Sequence, residues 1–364
     1  MQRTALKLFC LLFYVAACDV SKPTDYANKI DDLIIKDQAK TFARLLNWQR
    51  VKGDTLFLTD AFGSLLFVEL NRGQEVYLKK IEGFQMNKDD RRLHGLNFDF
   101  PHLSIKGAEI RVDSSDKEDS IYRIPLSDTN AIEALAVMSY YGAWPGGAND
   151  SLLVLPLVVR FKDYDLDEAR IASCANVCLV DIKNGHTHYP FSFDPPITVN
   201  PFLEHPILAY SENSLYYTRA FRNQIWAYDF LSGDSRSIRL NSIHFSAEEF
   251  DVNYLGDQEY RLKYYQQSSF ATGLWLDEKS NVLVRRSKLS KALKDAEGLN
   301  IPPYWADMLF EIIAIESGEI IKTLRIDGKR YDNRNCFIAN SKLYIKDEES
   351  TSDKAITYGV FALR

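Results

Sequence analysis

Three stretches hold residue types whose spacing could do chemistry. In the first, Cys174-Ala-Asn-Val-Cys178 is followed by His186 and His188 in Asn-Gly-His-Thr-His-Tyr. Two thiols and two imidazoles make a four-ligand zinc set on paper. The spacing matches no finger pattern, so buried thiols or one disulfide, with no metal, is the expectation. In the second, Asp163-Tyr-Asp-Leu-Asp-Glu-Ala-Arg170, carboxylates alternate as at the start of a calcium loop. Glu168 stands where that loop needs glycine and Cys174 where it needs a terminal glutamate, so a solvated acidic turn is the better reading. The third is Tyr140-Tyr-Gly-Ala-Trp-Pro-Gly-Gly-Ala-Asn-Asp150. Its rings are apolar with a polar edge and suit the face of a sugar. Tyr140, Tyr141 and Trp144 are therefore the candidate ligand-binding residues; the competing reading places them in a strand and between sheets. The six histidines make no His-Glu-x-x-His, and there is no Gly-x-Ser-x-Gly. No catalytic residue and no cofactor is expected from sequence.

A fourth stretch concerns location. Leu8 to Ala17 is an apolar run of ten residues, preceded by Arg3 and Lys7. A bilayer-crossing helix needs about 20 apolar residues, so this run has the layout of a secretory signal instead. It ends in Val15-Ala16-Ala17-Cys18, which resembles the bacterial lipobox. That resemblance implies cleavage before Cys18 and acylation of its thiol and new amino terminus, with a membrane as the partner through lipid. The domains expected are a lipoprotein signal peptide at 1–17, a polar tether at 18–30 and a folded domain at 31–364.

The chain carries 44 basic and 50 acidic residues, a net charge of −6, and they are well mixed. There is no basic stripe of the kind nucleic-acid binders show, and none is expected as a partner.

The elements that must position any site come from a repeat. Asp54 onward, DTLFLTDAFGSLLFVELNRG, aligns without a gap on Asn213 onward, NSLYYTRAFRNQIWAYDFLSG: Leu56 on Leu215, Thr59 on Thr218, Ala61-Phe62 on Ala220-Phe221. Each copy reads as strand, polar break, strand and glycine turn. The second strand and turn recur in VCLVDIKNGHTHYPF and LFEIIAIESGEIIKTLRI, placing turn glycines at Gly73, Gly185, Gly233 and Gly318. Short strands at a period of about 40 to 50 residues mark a β-propeller of four-stranded antiparallel blades. The spacing predicts an all-β, six-bladed propeller with blades at 43–81, 94–126, 136–191, 207–240, 268–326 and 335–363; the irregular 82–150 leaves seven open. The last blade has three evident strands, while Asp31–Asp37, DDLIIKD, has no partner of its own. Pairing them closes the ring and removes two open edges. Insertions fall at Asn241–Gln267 and Lys288–Met308; in the second, Ser290 could cap a short helix stopping at Gly298.

With its signal, the hairpin NSLYYTRAFRNQIWAYDFLSG, and the stretches GLWLDEKSNVLVRRSKL and FEIIAIESGEIIKTL, the chain resembles a family of secreted Bacteroidota-type lipoproteins, a six-bladed β-propeller domain of unknown function. The resemblance implies a propeller at the cell envelope, periplasmic or surface, and no catalytic residue. The expected role is binding of a carbohydrate or an envelope protein. The alternatives are a glycoside hydrolase or lyase with its site in the funnel, and a structural subunit of an envelope assembly. Carboxylates at the funnel favour the enzyme, aromatics favour glycan binding, and a flat apolar face favours the structural role.

Overall fold

The computed structural model describes residues 25–36, 45–60, 65–80, 103–106, 109–112, 120–123, 132–133, 146–159, 175–192, 206–242, 251, 254, 257–294, 297–299, 305–352 and 354–364. The signal, Cys18, Tyr140, Tyr141, Trp144, the acidic turn at 163–170 and Cys174 lie outside them.

The repeated hairpins form as the alignment requires. Thr55–Asp60 pairs with Leu65–Glu69, and Ser214–Arg219 pairs with Gln224–Asp229, each at the centre of its sheet. Leu56 and Leu215 are fully buried in equivalent places, as are Leu66 and Ile225 on the following strands. The glycine turns are also alike. The Gly185, Gly233 and Gly318 amides donate to the carbonyls of Asp181, Asp229 and Ala314 at 2.7, 3.0 and 2.9 Å. All three glycines have φ between 72° and 74°, a conformation that a side chain disfavours.

The molecule is an all-β propeller. The first sheet is Leu45–Lys52, Thr55–Asp60, Leu65–Glu69 and Lys79–Lys80; the third is Gly146–Gly147, Leu152–Pro156, Ala175–Asp181 and Thr187–Ser192. The fourth is Pro206–Tyr210, Ser214–Arg219, Gln224–Asp229 and Ser235–Arg239, and the fifth is Phe270–Asp277, Val282–Lys288, Met308–Ala314 and Ile320–Ile326. The closing sheet contains Tyr331–Ala339, Lys342–Asp347 and Ala355–Ala362. Strands alternate their side chains between faces, and here both faces are apolar. On the closing sheet, Phe337, Ala339, Tyr344, Tyr358 and Val360 pack toward Leu56, Leu58, Leu66 and Val68 of the first. Cys336, Ile338, Leu343, Ile345 and Phe361 pack the other way, against Val284, Phe310 and Ile312 of the fifth. Like clusters join the fourth sheet to the fifth and the third to the fourth.

Asp31–Lys36 completes the closing sheet. It runs antiparallel to the last strand, with Asp31 opposite Val360, Leu33 opposite Tyr358 and Lys36 opposite Ala355. Just ahead of it the Ala27 amide donates to the Arg325 carbonyl at 2.8 Å, so the end of the tether stretch already lies on the fold. One pairing was not expected. Glu75–Tyr77 leaves the first sheet and adds in parallel to the outer side of Asp31–Lys36, and the Lys36 ammonium bonds Glu75. The closing strand is thus held from both sides.

Two expectations need correction. Five sheets have four antiparallel strands, not six. The sheet at the second position, Leu103–Lys106, Glu109–Val112 and Ser120–Arg123, has three among the described residues, each only four residues long. Residues 289–294 and 297–299 form no helix; the Ser290 amide donates instead to Ser269 Oγ. Among the described residues a helix lies in the other insertion, Gln258–Gln267, capped by Asp257, whose Oδ1 accepts from the Glu259 and Tyr260 amides.

Candidate functional site

Each blade turns back from its innermost strand to its second through a short loop, and five of these loops converge on one cavity of about 530 Å³. Its walls include Lys52 to Asp54 of the first sheet, Gly147 to Asp150 of the third, Tyr210 to Glu212 of the fourth, Leu276 to Lys279 of the fifth and Ile338 to Asn340 of the closing sheet. This is one mouth of the propeller. The volume lies within the range of small-molecule sites, about 300–1,000 Å³.

The sequence of each loop explains its shape. Lys52 pairs with Thr55, leaving Gly53-Asp54 as a two-residue turn with Gly53 at φ 58°. Ala339 pairs with Lys342 around Asn340 and Ser341, both at positive φ, 51° and 59°. Asn149 Oδ1 accepts from the Ser151 and Leu152 amides at 3.0 Å each, and Ser211 Oγ accepts from the Asn213 and Ser214 amides at 3.3 and 3.1 Å. Such side chains cap turns locally. Neighbouring loops are also tied together. Asn149 Nδ2 donates to the Glu212 carbonyl at 3.4 Å, and the Ser280 and Ser341 hydroxyls bond each other.

The chemistry of the mouth is acidic. Asp54, Asp150, Glu212, Asp277 and Glu278 line it against Lys52 and Lys279. Four of the carboxylates are exposed; Asp277 is 6% exposed, and its Oδ2 is buried with no hydrogen-bond partner. A wall of one sign concentrates the field and draws counter-charges. Tyr210 is the one aromatic among the described lining residues. Among the described residues no group of three or more His, Cys, Asp or Glu is disposed to hold a metal ion.

The far half of the fifth sheet carries the opposite sign, deep inside. Arg285 and Glu311 face each other across adjacent strands at 2.7 Å, both 0% exposed. Burial pulls the Arg285 guanidinium down, and Glu311 opposes that. Lys288, also buried, donates to the carbonyls of Tyr265, Gln266 and Ser268 at 2.6, 3.0 and 2.8 Å. Burial, and then Lys291, push it down to about 7. Three carbonyls at a helix C-terminus work against that push and engage all three of its donors. Lys288 thereby ties the C-terminal end of that helix to the fifth sheet.

Of the residues singled out in sequence, Tyr140, Tyr141 and Trp144 fall outside the described residues, but the chain after them enters at Gly146–Gly147, the innermost strand of the third sheet. Cys178 and Cys336 are buried, and Cys336 Sγ accepts from Arg286 Nη1 at 3.2 Å. Burial pushes the Cys178 thiol up to about 12, which makes it inert. His188 stacks on Tyr228 with ring centroids 5.4 Å apart. The acidic mouth was missed because its members come from five blades. The signal that existed was the repetition of polar, acidic turn residues after each innermost strand.

No protein-family model and no curated protein sequence matches the chain. Among solved structures it is similar to a member of the DUF4221 family from Bacteroides vulgatus, with a TM-score of 0.61 at 14% identity over 92% of this chain and 97% of that one. This likeness shows the fold. Weaker similarities are to a Bacteroides fragilis protein assigned as exported (TM-score 0.44, 8% identity, 94% of this chain and 98% of that one) and to a luciferin-regenerating enzyme (TM-score 0.39, 10% identity, 91% and 96%). No helix among the described residues is long and apolar enough to cross a membrane.

Proposed function

We propose that this protein is a lipid-anchored extracytoplasmic propeller that binds a carbohydrate or an envelope protein at its acidic mouth. The observation that carries the reading is the convergence of five inter-strand loops on one polar cavity of about 530 Å³. The address is supported by Val15-Ala16-Ala17-Cys18 after a ten-residue apolar run. Carboxylates accept hydrogen bonds from sugar hydroxyls or from basic side chains, and Tyr210 offers a ring. Trp144, two residues before Gly146, is proposed as part of the same site.

The test is a glycan array and an envelope pull-down with the purified protein, repeated with Tyr210→Ala and Glu212→Gln. Binding that both variants weaken supports the mouth as the site. Binding that neither variant alters removes it.

The same carboxylates favour a second reading. Two of them, suitably placed, would make a glycoside hydrolase or lyase. Release of reducing ends from an envelope polysaccharide, lost on substituting a mouth carboxylate, would establish that reading in place of simple binding.

A further inference from the structure

We infer that the face opposite the mouth rests on the surface of a lipid bilayer, so that the mouth opens away from the membrane. The inference rests on the reading of Cys18 as the lipid anchor and adds the orientation that this anchor imposes. The loops of the mouth join innermost strands to second strands. Residues 289–307 join the second strand of the fifth sheet to the third, so they leave from the opposite face. The helix Gln258–Gln267 precedes the innermost strand Phe270–Asp277 and lies at that face too, where Lys288 holds its last turn.

The N-terminal stretch meets the fold on the same face. The Tyr26 hydroxyl donates to Asp307 Oδ2 at 3.0 Å, just ahead of the third strand Met308–Ala314, and its ring lies 5.1 Å from the Arg325 guanidinium. Asp25, the first described residue, stands seven positions after Cys18. Fully extended, that length reaches at most about 25 Å. The strands of the fifth sheet, seven or eight residues long, put the mouth roughly another 25 Å away. Turning the mouth to the membrane would use the whole reach of the tether; turning the opposite face to it uses almost none.

The side chains on that face suit a bilayer surface. Tyr26 is half exposed with its hydroxyl tied down, Trp305 is 38% exposed, and Leu262 and Leu299 are 52% and 64% exposed. Tyrosine and tryptophan favour the boundary between headgroups and acyl chains, because each joins an apolar ring to a polar group. Trp305 is presented from fixed backbone. Lys291 Nζ donates to its carbonyl at 2.5 Å, and Gly328 packs so close to Ala306 that a Cβ there would meet the Ala306 carbonyl oxygen at 1.9 Å. Lys291, Lys329 and Arg325 have Asp307 and Asp327 beside them, so local charge is nearly balanced. Rings and methyl groups, rather than anionic headgroups, carry the contact.

The experiment supplies the tether chemically, so its result does not depend on the cell acylating Cys18. The chain from residue 18, with Cys174→Ser to leave Cys18 as the thiol that reacts, is coupled to maleimide lipid in phosphatidylcholine vesicles. Half of the vesicles carry brominated acyl chains, which quench tryptophan emission on contact. Quenching is expected in the coupled chain, and Trp305→Phe should remove half of it or more with the thermal midpoint unchanged. Leu262→Asp with Leu299→Asp should also reduce it. Tyr210→Trp, added to Trp305→Phe, should contribute emission from the mouth that the bromines leave untouched. The inference is overturned if nothing is quenched, if Trp305→Phe is quenched as the wild type is, or if the Tyr210→Trp emission is quenched instead. Dimers of the uncoupled chain in sedimentation, abolished by the double leucine variant, would overturn it in favour of a second copy on this face. Fatty-acid labelling of Cys18 in cells reads the anchor separately. A labelled protein whose coupled form shows no quenching overturns the orientation alone, and an unlabelled one overturns the anchor and the orientation with it.

Discussion

Leu33 stands directly opposite Tyr358, and both side chains are buried in the cluster that joins the closing sheet to the first. One residue comes from the start of the folded chain and the other from its end. Between them they convert a row of sheets into a ring, because the three strands at the C-terminus would otherwise leave an apolar edge unpaired. Removing residues 18 to 37 should therefore cost several kcal/mol. Ile35→Ala alone, at a fully buried position, should cost about 2–5 kcal/mol. Ile34, half buried on the same strand, should cost less. Urea denaturation of the three variants checks the order.

The Arg285–Glu311 pair makes a separate forecast. Arg285 also donates to the Arg222 carbonyl at 3.1 Å and to Asn223 Oδ1 at 3.3 Å, so it links the fourth and fifth sheets. Glu311→Gln removes the charge that compensates a buried guanidinium and should cost about 3–5 kcal/mol. Arg285→Met combined with Glu311→Leu should cost less than Glu311→Gln alone. Equal losses in a denaturant series would show that the pair acts through packing rather than charge.

Acid should unfold the closing sheet through two aspartates. Burial works to raise the Asp347 carboxyl, but Arg330, at 2.8 Å, outweighs it and holds the group below the usual carboxylate range. Burial also opposes Asp332, which the Arg334 amide and the Asn335 side chain hold down. A depressed carboxylate stabilises fully above its unfolded value, about 3.9, and that stability is lost as pH falls through the lower folded value. Thermal midpoints should hold at mildly acidic pH and fall below about pH 4. Asp347→Asn should start lower and show a shallower acid decline; an unchanged slope would remove Asp347 as a cause.

The proposed anchor has a direct test. Cys18→Ser should abolish incorporation of a labelled fatty acid and move the protein from the membrane to the soluble fraction. Retention of the variant on the membrane would mean that something other than Cys18 holds it there.

Trp144 separates a binding loop from a packing loop. If the ring meets a ligand, Trp144→Ala should weaken binding by about 1 kcal/mol or more and leave the thermal midpoint in place. If it packs between sheets, the same change should cost about 3–5 kcal/mol of stability and no affinity. One preparation, melted and assayed for binding, decides between them.

The sequence alone determined what repeats. Leu56 and Leu215, or Gly185, Gly233 and Gly318, recur because the blades that carry them need the same buried position or the same left-handed turn, so local chemistry repeats along the chain; Gly73 of the first blade takes a different conformation, φ 109°. It also marked the orphan strand Asp31–Lys36, since an apolar alternation without a neighbour must find one. The tertiary structure decided what each end of a blade faces. Asp54, Asp150, Glu212 and Asp277 are separated by whole blades and look like ordinary polar turn residues; only the closure of the ring makes them one acidic wall. It likewise decided that Glu75–Tyr77 joins the closing strand rather than its own sheet, and that Arg285 and Glu311 share a dry interior. Both depend on which strands lie side by side, and a periodicity of two does not encode that.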